Sequence, residues 1–190
     1  MNWLIMLVIL VAAFGPVLWM LPSQTDRRLT KMRGRARVLG VQVEMSELRD
    51  LNAPAAARVT AGAQRREPVV QCVVYHLAAR QTMPAAPHWR ILRSVAHTGA
   101  PIDGWQWDGE PAGDAPYWRE VTAVVRELPG DALACAARAS EVACWWRERA
   151  TAEGAVAAVD SLHETLAKLE EIQRAADAKV RADDVAGERS

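Results

Sequence analysis

One cysteine and two histidines come nearest to a catalytic or metal site by residue type and spacing. Cys72 and His76 lie four residues apart in VVQCVVYHL, whose β-branched content predicts a strand. An even spacing places both side chains on one face of that strand. His88 begins the next apolar run and would face His76 across a hairpin. A nucleophile with its base, or a minimal metal site, needs such an arrangement; the alternative is that Cys72 is a small buried hydrophobe.

The rest of the sequence carries no recognisable catalytic or cofactor motif. Neither GxxxxGK[ST] nor GxGxxG occurs, so the common phosphate-binding loops are missing, and GxSxG and HExxH are also absent. The three cysteines are odd in number and none has CxxC spacing, which argues against a zinc ribbon or a redox pair. We therefore expect no catalytic residue, no metal site and no cofactor.

Tryptophan is unusually frequent, with eight copies in the chain. Trp105 and Trp107 flank one residue in GWQWDG, within a stretch so rich in Gly, Pro and Asp that it predicts a long loop. In an extended backbone both indoles point the same way, which makes them a candidate partner-binding shelf. The alternative, favoured by the usual burial of large aromatics, is that they hold the loop onto the core.

An uncharged apolar run, Trp3 to Leu21, lies near the start of the chain. As a helix it would span the roughly 30 Å of a bilayer core, and no small-residue cleavage site follows it. The run predicts an uncleaved single-pass transmembrane helix, a signal anchor, over residues 3–21. All nearby cations follow the run, which predicts an N-terminus outside and a cytoplasmic domain at a bacterial inner (plasma) membrane.

The next segment, residues 22–40, is basic and has helical periodicity. Ser23 and Asp26 have the spacing of a capping box, and Leu29 and Met32 begin an apolar stripe. The segment predicts a basic amphipathic juxtamembrane helix. Its cations are candidate contacts for lipid headgroups, and they are Arg27, Arg28, Lys31, Arg33, Arg35 and Arg37.

Residues 41–178 are long enough for one ordinary domain. Their patterns predict an α+β fold in which an antiparallel sheet of about five strands carries two or three packed helices on one face. Residues 131–149 are ambiguous between helix and strand, and residues 179–190 read as a disordered tail. We expect strands 69–77 and 88–96 to form an antiparallel hairpin. The other predicted strands lie near 41–45, 132–138 and 142–147. One predicted helix lies near 114–128, with Asp114 as its cap. The last begins near 151 and has an apolar face that includes Ile172.

The apolar run leads through Leu21-Pro22-Ser23-Gln24 into the basic stretch that contains Arg28. A single N-terminal span followed by a proline, a polar-basic stretch and a small strand-rich domain resembles the small accessory subunit of the bacterial preprotein translocase, the YajC-like family. That match covers about a fifth of the chain. The whole chain is similar to uncharacterised single-pass inner-membrane proteins of Gram-negative bacteria. Neither resemblance transfers a functional residue to this sequence.

These features favour a non-catalytic, membrane-anchored interaction or accessory domain at the cytoplasmic face, serving an envelope or protein-secretion assembly through a protein partner. The net charge of zero argues against a nucleic-acid partner, and a homo-oligomer stays open. Two alternatives remain. One is a membrane-bound enzyme with a Cys/His site built from Cys72, His76 or His88, and the other is a lipid-surface module acting through the basic segment.

Overall fold

The computed structural model describes residues 3, 6, 23–59, 64–110, 113–149 and 154–187. Between residues 23 and 187 it is an α+β domain with a six-stranded antiparallel sheet and three α-helices. The helices are α1 (Gln24–Val38), α2 (Ala115–Val125) and α3 (Ala155–Gly187). The strands are β1 (Gln42–Arg49), β2 (Val69–Ala78), β3 (Trp89–Arg93), β4 (Trp105–Trp107), β5 (Ala132–Ala137) and β6 (Glu141–Trp146).

Two of the helices begin at side-chain caps that the sequence predicts. Asp26 N donates to Ser23 Oγ at 3.1 Å, and Ser23 N donates to Asp26 Oδ2 at 3.0 Å, which completes the capping box of α1. Asp114 Oδ1 accepts the N–H of Tyr117 at 2.9 Å, with Pro116 in the first turn of α2. These caps satisfy N–H groups that have no partner inside the helix.

The strand order is β1-β2-β6-β5-β3-β4. The β5–β6 hairpin lies at the centre because its strands are apolar and buried on both faces. This order corrects the predicted hairpin of 69–77 with 88–96: β2 pairs with β1 and β6, whereas β3 pairs with β4 and β5. The sixth strand, β4, comes from the tryptophan-containing stretch, which the sequence predicts to be a long loop.

All three helices contribute to a core on one face of the sheet, with α3 in contact with both α1 and α2. Alternating residues of β2 and β6 enter this core, so Tyr75 and Trp146 pack together with ring centroids 5.5 Å apart. The apolar stripe of α3 meets them, as its three- and four-residue spacing predicts. Burying each large apolar side chain here contributes about 1.5–3 kcal/mol.

The opposite face of the sheet carries a second apolar cluster that includes Cys72, Val74 and Trp145. Leu48, at the far end of the β1–β2 hairpin, belongs to the same cluster. The chain after β1 is tied to the end of β3, where the Asn52 side-chain amide donates to the carbonyl of Arg93 at 3.0 Å. This end of the hairpin therefore lies over the second face of the sheet. Both faces of the central strands are buried from solvent.

The predicted transmembrane helix is corrected by the structure. Most of residues 3–21 lie outside the described residues, and among the residues that are described no helix is long and apolar enough to cross a membrane. The single-pass, inner-membrane location and the orientation inferred from that span are corrected with it.

The C-terminal helix is longer than its sequence pattern predicts. A disordered tail was expected over residues 179–190, yet α3 is continuous to Gly187. Its buried positions end at Asp177, and every residue from 178 to 187 is exposed. An isolated stretch of this length gains little stability from its own hydrogen bonds, so the exposed end of α3 is supported by its continuity with the packed part.

Candidate functional site

The structure separates the cysteine and histidines that could have formed a catalytic or metal site. Cys72 and His76 do share a face of β2, but Cys72 Sγ lies 3.5 Å from the carbonyl of Ser46, whereas His76 Nδ1 lies 3.0 Å from Glu141 Oε2. His88 is exposed ahead of β3, which is not a neighbour of β2. Among the described residues, no group of three or more His, Cys, Asp or Glu side chains could hold a metal ion.

Burial keeps the thiols protonated. Desolvation raises the pKa of Cys72, raises the pKa of Cys135 to about 12, and raises the pKa of Cys144 well above its usual value. Cys135 and Cys144 face each other across the β5–β6 pair and are free and fully buried. A protonated thiol is a poor nucleophile, so these cysteines behave as small core residues.

The free energy of unfolding should therefore decrease as the pH rises above about 9. Unfolded thiols ionise above their ordinary pKa of 9.0, whereas folded Cys135 stays neutral up to a pKa of about 12. A folded pKa above the unfolded value gives stability that is complete at low pH and is lost as the pH rises. The slope should be about 1.4 kcal/mol per pH unit for each such thiol. Urea unfolding across this pH range measures the slope. Cys135→Ala should reduce the slope by the contribution of one thiol, and an unchanged slope would contradict the raised pKa of Cys135.

The two candidate tryptophans point to the same face of β4, as their spacing predicts. Trp105 is only 2% exposed, and the Arg93 guanidinium lies 5.1 Å from the centroid of its ring. Trp107 is half-buried, and its ring meets Trp118 of α2 nearly edge-on, with centroids 4.2 Å apart. Trp105 therefore has almost no surface for a partner, and the packing of both rings joins β4 to the rest of the domain.

The cations of α1 include two that form ion pairs with other parts of the domain. Arg35 Nε lies 2.6 Å from Asp160 Oδ1 of α3, and Arg33 pairs with Glu148. Arg28 is half-buried, whereas Arg27, Lys31 and Arg37 are exposed. The predicted role of these six side chains as lipid-headgroup contacts stays a prediction.

A buried carboxylate lies beneath the C-terminal half of α1. Glu148 accepts hydrogen bonds from Arg33 Nε at 3.2 Å, from Arg33 Nη2 at 2.7 Å and from Tyr75 Oη at 2.7 Å. Its side chain is 4% exposed, and its backbone has φ +53°, a conformation that L side chains rarely adopt. Desolvation, followed by the hydrogen bond to Glu148, raises the pKa of Tyr75 far above its usual value. This cluster anchors α1 to the sheet.

A groove lies between the first turn of α2 and the exposed end of α3, with a volume of about 380 Å³. Its apolar lining comes from both helices and from the connection before β3. We call this surface the α2–α3 groove, and its apolar residues are Pro87, Pro116, Tyr117, Ile172, Ala175, Ala176 and Val180.

A chain of buried hydrogen bonds fixes the floor of the α2–α3 groove. Trp89 Nε1 donates to Tyr117 Oη, Tyr117 Oη donates to Gln173 Oε1, and Gln173 Nε2 donates to the carbonyl of Pro87. One turn later, Asp177 Oδ1 accepts the N–H of Ala85 at 2.8 Å. Polar groups of α3 thus hold the 85–87 connection and the Tyr117 ring in place, so the groove is preformed.

Gly113 sets the shape of one end of this groove. Its φ is +84°, and a Cβ atom built on it would lie 2.6 Å from Cδ1 of Tyr117. Glycine alone tolerates both the conformation and the close approach of the ring. The position is therefore part of the groove's construction rather than a generic loop residue.

The rim of the α2–α3 groove is acidic. Asp114, Glu120 and Asp183 contribute three carboxylates against one ammonium group, that of Lys179. Lys179 Nζ already lies 3.1 Å from Asp114 Oδ2, and hydrogen bonds from Tyr117 N and Lys179 hold the pKa of Asp114 below its usual value. Two carboxylates remain beside an apolar floor, a combination suited to an amphipathic segment with cations beside its apolar face.

Sequence patterns contained only part of this site. Ile172 was assigned to the apolar face of the last helix, and Ala176 and Val180 continue that face at four-residue intervals. That continuation is the signal for an apolar surface on residues expected to be disordered. Pro87 and Tyr117 carry no such signal, because only the strand order brings the 85–87 connection beside α3.

Comparison with known protein families, with characterised proteins and with solved structures finds no match to this chain. The resemblance of the first forty residues to the translocase accessory subunit stays a prediction.

Proposed function

We propose that this domain is a non-catalytic protein-interaction module and that the α2–α3 groove binds an amphipathic segment of a partner protein. The observation that carries the proposal is the preformed apolar groove with an acidic rim at the exposed end of α3. Concave apolar surfaces with a few charged groups at their edge are typical binding sites.

The shape of the site favours a helix as the bound segment. One wall of the groove is a helix face that repeats Ile172, Ala176 and Val180 at four-residue intervals. A second helix laid along this wall would bury its own apolar stripe against these side chains. It would also cover part of the otherwise exposed end of α3, where partner packing would add the stability that an isolated helix lacks.

The charges favour a cationic partner. Glu120 and Asp183 lie on the rim without an ion-pair partner among the described residues. Lysine or arginine side chains at the edge of the bound helix would reach them, and the long aliphatic stems of these side chains would extend the apolar contact. We therefore expect discrimination by charge as well as by shape.

Two valines of α3 give a matched test of the groove. Val180 is 38% exposed and lines the groove, whereas Val185 is 48% exposed on the same helix and does not line it. Val180→Arg should weaken binding of an amphipathic Leu–Lys helical peptide by at least about tenfold. Val185→Arg should leave the affinity nearly unchanged. Fluorescence anisotropy of the labelled peptide on the full chain measures both.

A Leu–Glu peptide of the same length and pattern is the charge control. It should bind more weakly than the Leu–Lys peptide, and the difference should shrink as salt rises, because the rim charges are exposed. The proposed site would be contradicted if Val180→Arg and Val185→Arg reduced the affinity for the Leu–Lys peptide equally, or if the Leu–Lys and Leu–Glu peptides bound equally well. Circular dichroism of both variants checks that α3 is still formed.

A further inference from the structure

The two edges of the sheet are protected to very different degrees. On one edge β4 has three residues, too short to template another strand. On the other edge β1 has eight residues in an unbroken register with β2, and its sequence QVEMSELR contains no proline or lysine. Natural sheets usually protect edges with short strands, charged side chains (lysine above all), proline or bulges. The β1 edge is long, carries no bulge, proline or lysine, and has Glu44, Glu47 and Arg49 as its charged side chains.

The register shows which backbone groups of β1 face outward. Asp50 N donates to the carbonyl of Pro68 at 2.8 Å, so the Asp50–Pro68 pair is a hydrogen-bonded pair that continues the β1–β2 ladder. Such pairs alternate along an antiparallel ladder. The odd-numbered residues Val43, Met45 and Glu47 therefore direct their N–H and C=O groups away from β2. No described strand pairs with them.

The side chains along this edge are arranged so that the edge is complementary to the same edge of a second copy of the chain. Met45 lies at the middle and is 66% exposed. Toward the start of β1, Val43 and Arg37 line one cavity of about 490 Å³, and Arg37 makes no ion pair with any described residue. Glu47 lies two residues beyond Met45 on the same face of β1. It is exposed and accepts a hydrogen bond from Gln71 Nε2 of β2. A cation and an anion thus lie on opposite sides of an exposed apolar centre.

We propose that β1 pairs antiparallel with β1 of a second copy of this chain, with Met45 opposite Met45 of that copy. The twofold axis then passes between the two methionines, and the two six-stranded sheets become one. In this register Glu47 of the second copy lies opposite Val43, beside Arg37, and symmetry repeats the contact. The dimer buries both exposed methionines and forms two Arg37–Glu47 ion pairs.

Neighbouring registers are less favourable. The outward backbone groups belong to odd-numbered residues, so a hydrogen-bonded pair between the two copies must join two odd-numbered residues. The sum of the two paired residue numbers can therefore change only by two from one register to the next. One shift places Glu44 opposite Glu44 of the second copy, which brings like charges together. The opposite shift places Met45 against Glu47 and Val43 against Arg49. Only the proposed register pairs apolar with apolar at the centre and opposite charges on both sides.

Oxidative cross-linking of the full chain tests the register directly. Paired residues in a hydrogen-bonded position have Cα atoms about 5.5 Å apart, within disulfide range. Met45→Cys should therefore give a covalent dimer on mild oxidation. Val43→Cys is the matched control, because its two copies lie four residues apart along the strand and should not link. The three native cysteines are buried and should not compete. Failure of Met45→Cys to link, or equal linking by both variants, would overturn the proposal.

Charge exchange tests the ion pairs in the unmodified backbone. Arg37→Glu and Glu47→Arg should each weaken the dimer at least about tenfold in sedimentation equilibrium. The double variant restores both contacts and should recover most of the affinity. A chain that is monomeric at every concentration would mean that this edge serves a different partner or none, and would overturn the proposal. The dimer and the α2–α3 groove use separate surfaces, so Val180→Arg should leave dimerisation unchanged.

Discussion

Replacement of Arg33 by methionine is expected to lower the free energy of unfolding by about 3 kcal/mol, the lower end of the range for breaking a buried ion pair. The methionine keeps the length and apolar stem of the side chain but removes both hydrogen bonds to Glu148. The carboxylate, 4% exposed, would then retain only Tyr75 Oη as a partner. Because Arg33 itself is 36% exposed, water can partly replace it, which places the effect at the lower end.

The measurement is thermal and urea unfolding of the variant beside Lys31→Met. Lys31 is an exposed neighbour on the same helix with no ion pair among the described residues, so its replacement should cost less than about 0.5 kcal/mol. For a chain of this size, 3 kcal/mol corresponds to a fall of about 6–12 °C in the unfolding midpoint. Equal midpoints for the two variants would mean that Glu148 does not depend on Arg33.

A second consequence concerns the backbone of Glu148. Its φ of +53° departs from the local preference of an L residue, and the hydrogen bonds from Arg33 and Tyr75 to its side chain contribute to holding it, beside the bond from Arg149 N to Asp131 Oδ2. Removing Arg33 therefore releases the end of β6 as well as α1. Hydrogen exchange should increase at residues 147–149 and along α1, while the β5–β6 amides stay protected.

Local patterns predicted the elements better than their arrangement. The caps at Ser23 and Asp114 were visible because a cap needs only nearby residues. The apolar face of α3 was visible for the same reason. The strand order could not be predicted in this way, because any two apolar strands are compatible partners when only their own sequences are considered. Which strands become central depends on all the strands of the sheet together. The alanine-rich β5 and the neighbouring β6 form the centre of the sheet, so β2 and β3 are separated.

The site was predictable only in fragments. Spacing correctly placed Trp105 and Trp107 on one face, but it carried no information on burial. The basic character of α1 was evident, yet the partners of Arg33 and Arg35 are Glu148 and Asp160, more than a hundred residues away in sequence. Long-range pairing of this kind leaves no periodic signal, and the α2–α3 groove depends on it.

Replacement of Gln173 by methionine is expected to cost about 2–4 kcal/mol and to weaken the α2–α3 groove at the same time. Methionine fills a similar volume but leaves the O–H of Tyr117 without its acceptor and the carbonyl of Pro87 without its donor, while Trp89 Nε1 still donates to Tyr117 Oη. A buried polar group deprived of its hydrogen bond costs about 1–3 kcal/mol. Lys168→Met on the same helix is the control, because it removes only an exposed ion pair with Glu127 and should cost less than about 1 kcal/mol.

The double variant Gln173→Met with Tyr117→Phe separates the hydrogen bond from the packing. It removes both members of the Tyr117–Gln173 contact, so it should be less destabilised than the sum of the single variants. The Leu–Lys peptide gives the functional readout. Because Gln173 fixes Pro87 and Tyr117 in the groove floor, Gln173→Met should weaken peptide binding at temperatures where the domain is still folded, and Lys168→Met should not. Full peptide affinity in Gln173→Met would mean that the groove does not depend on this chain of hydrogen bonds.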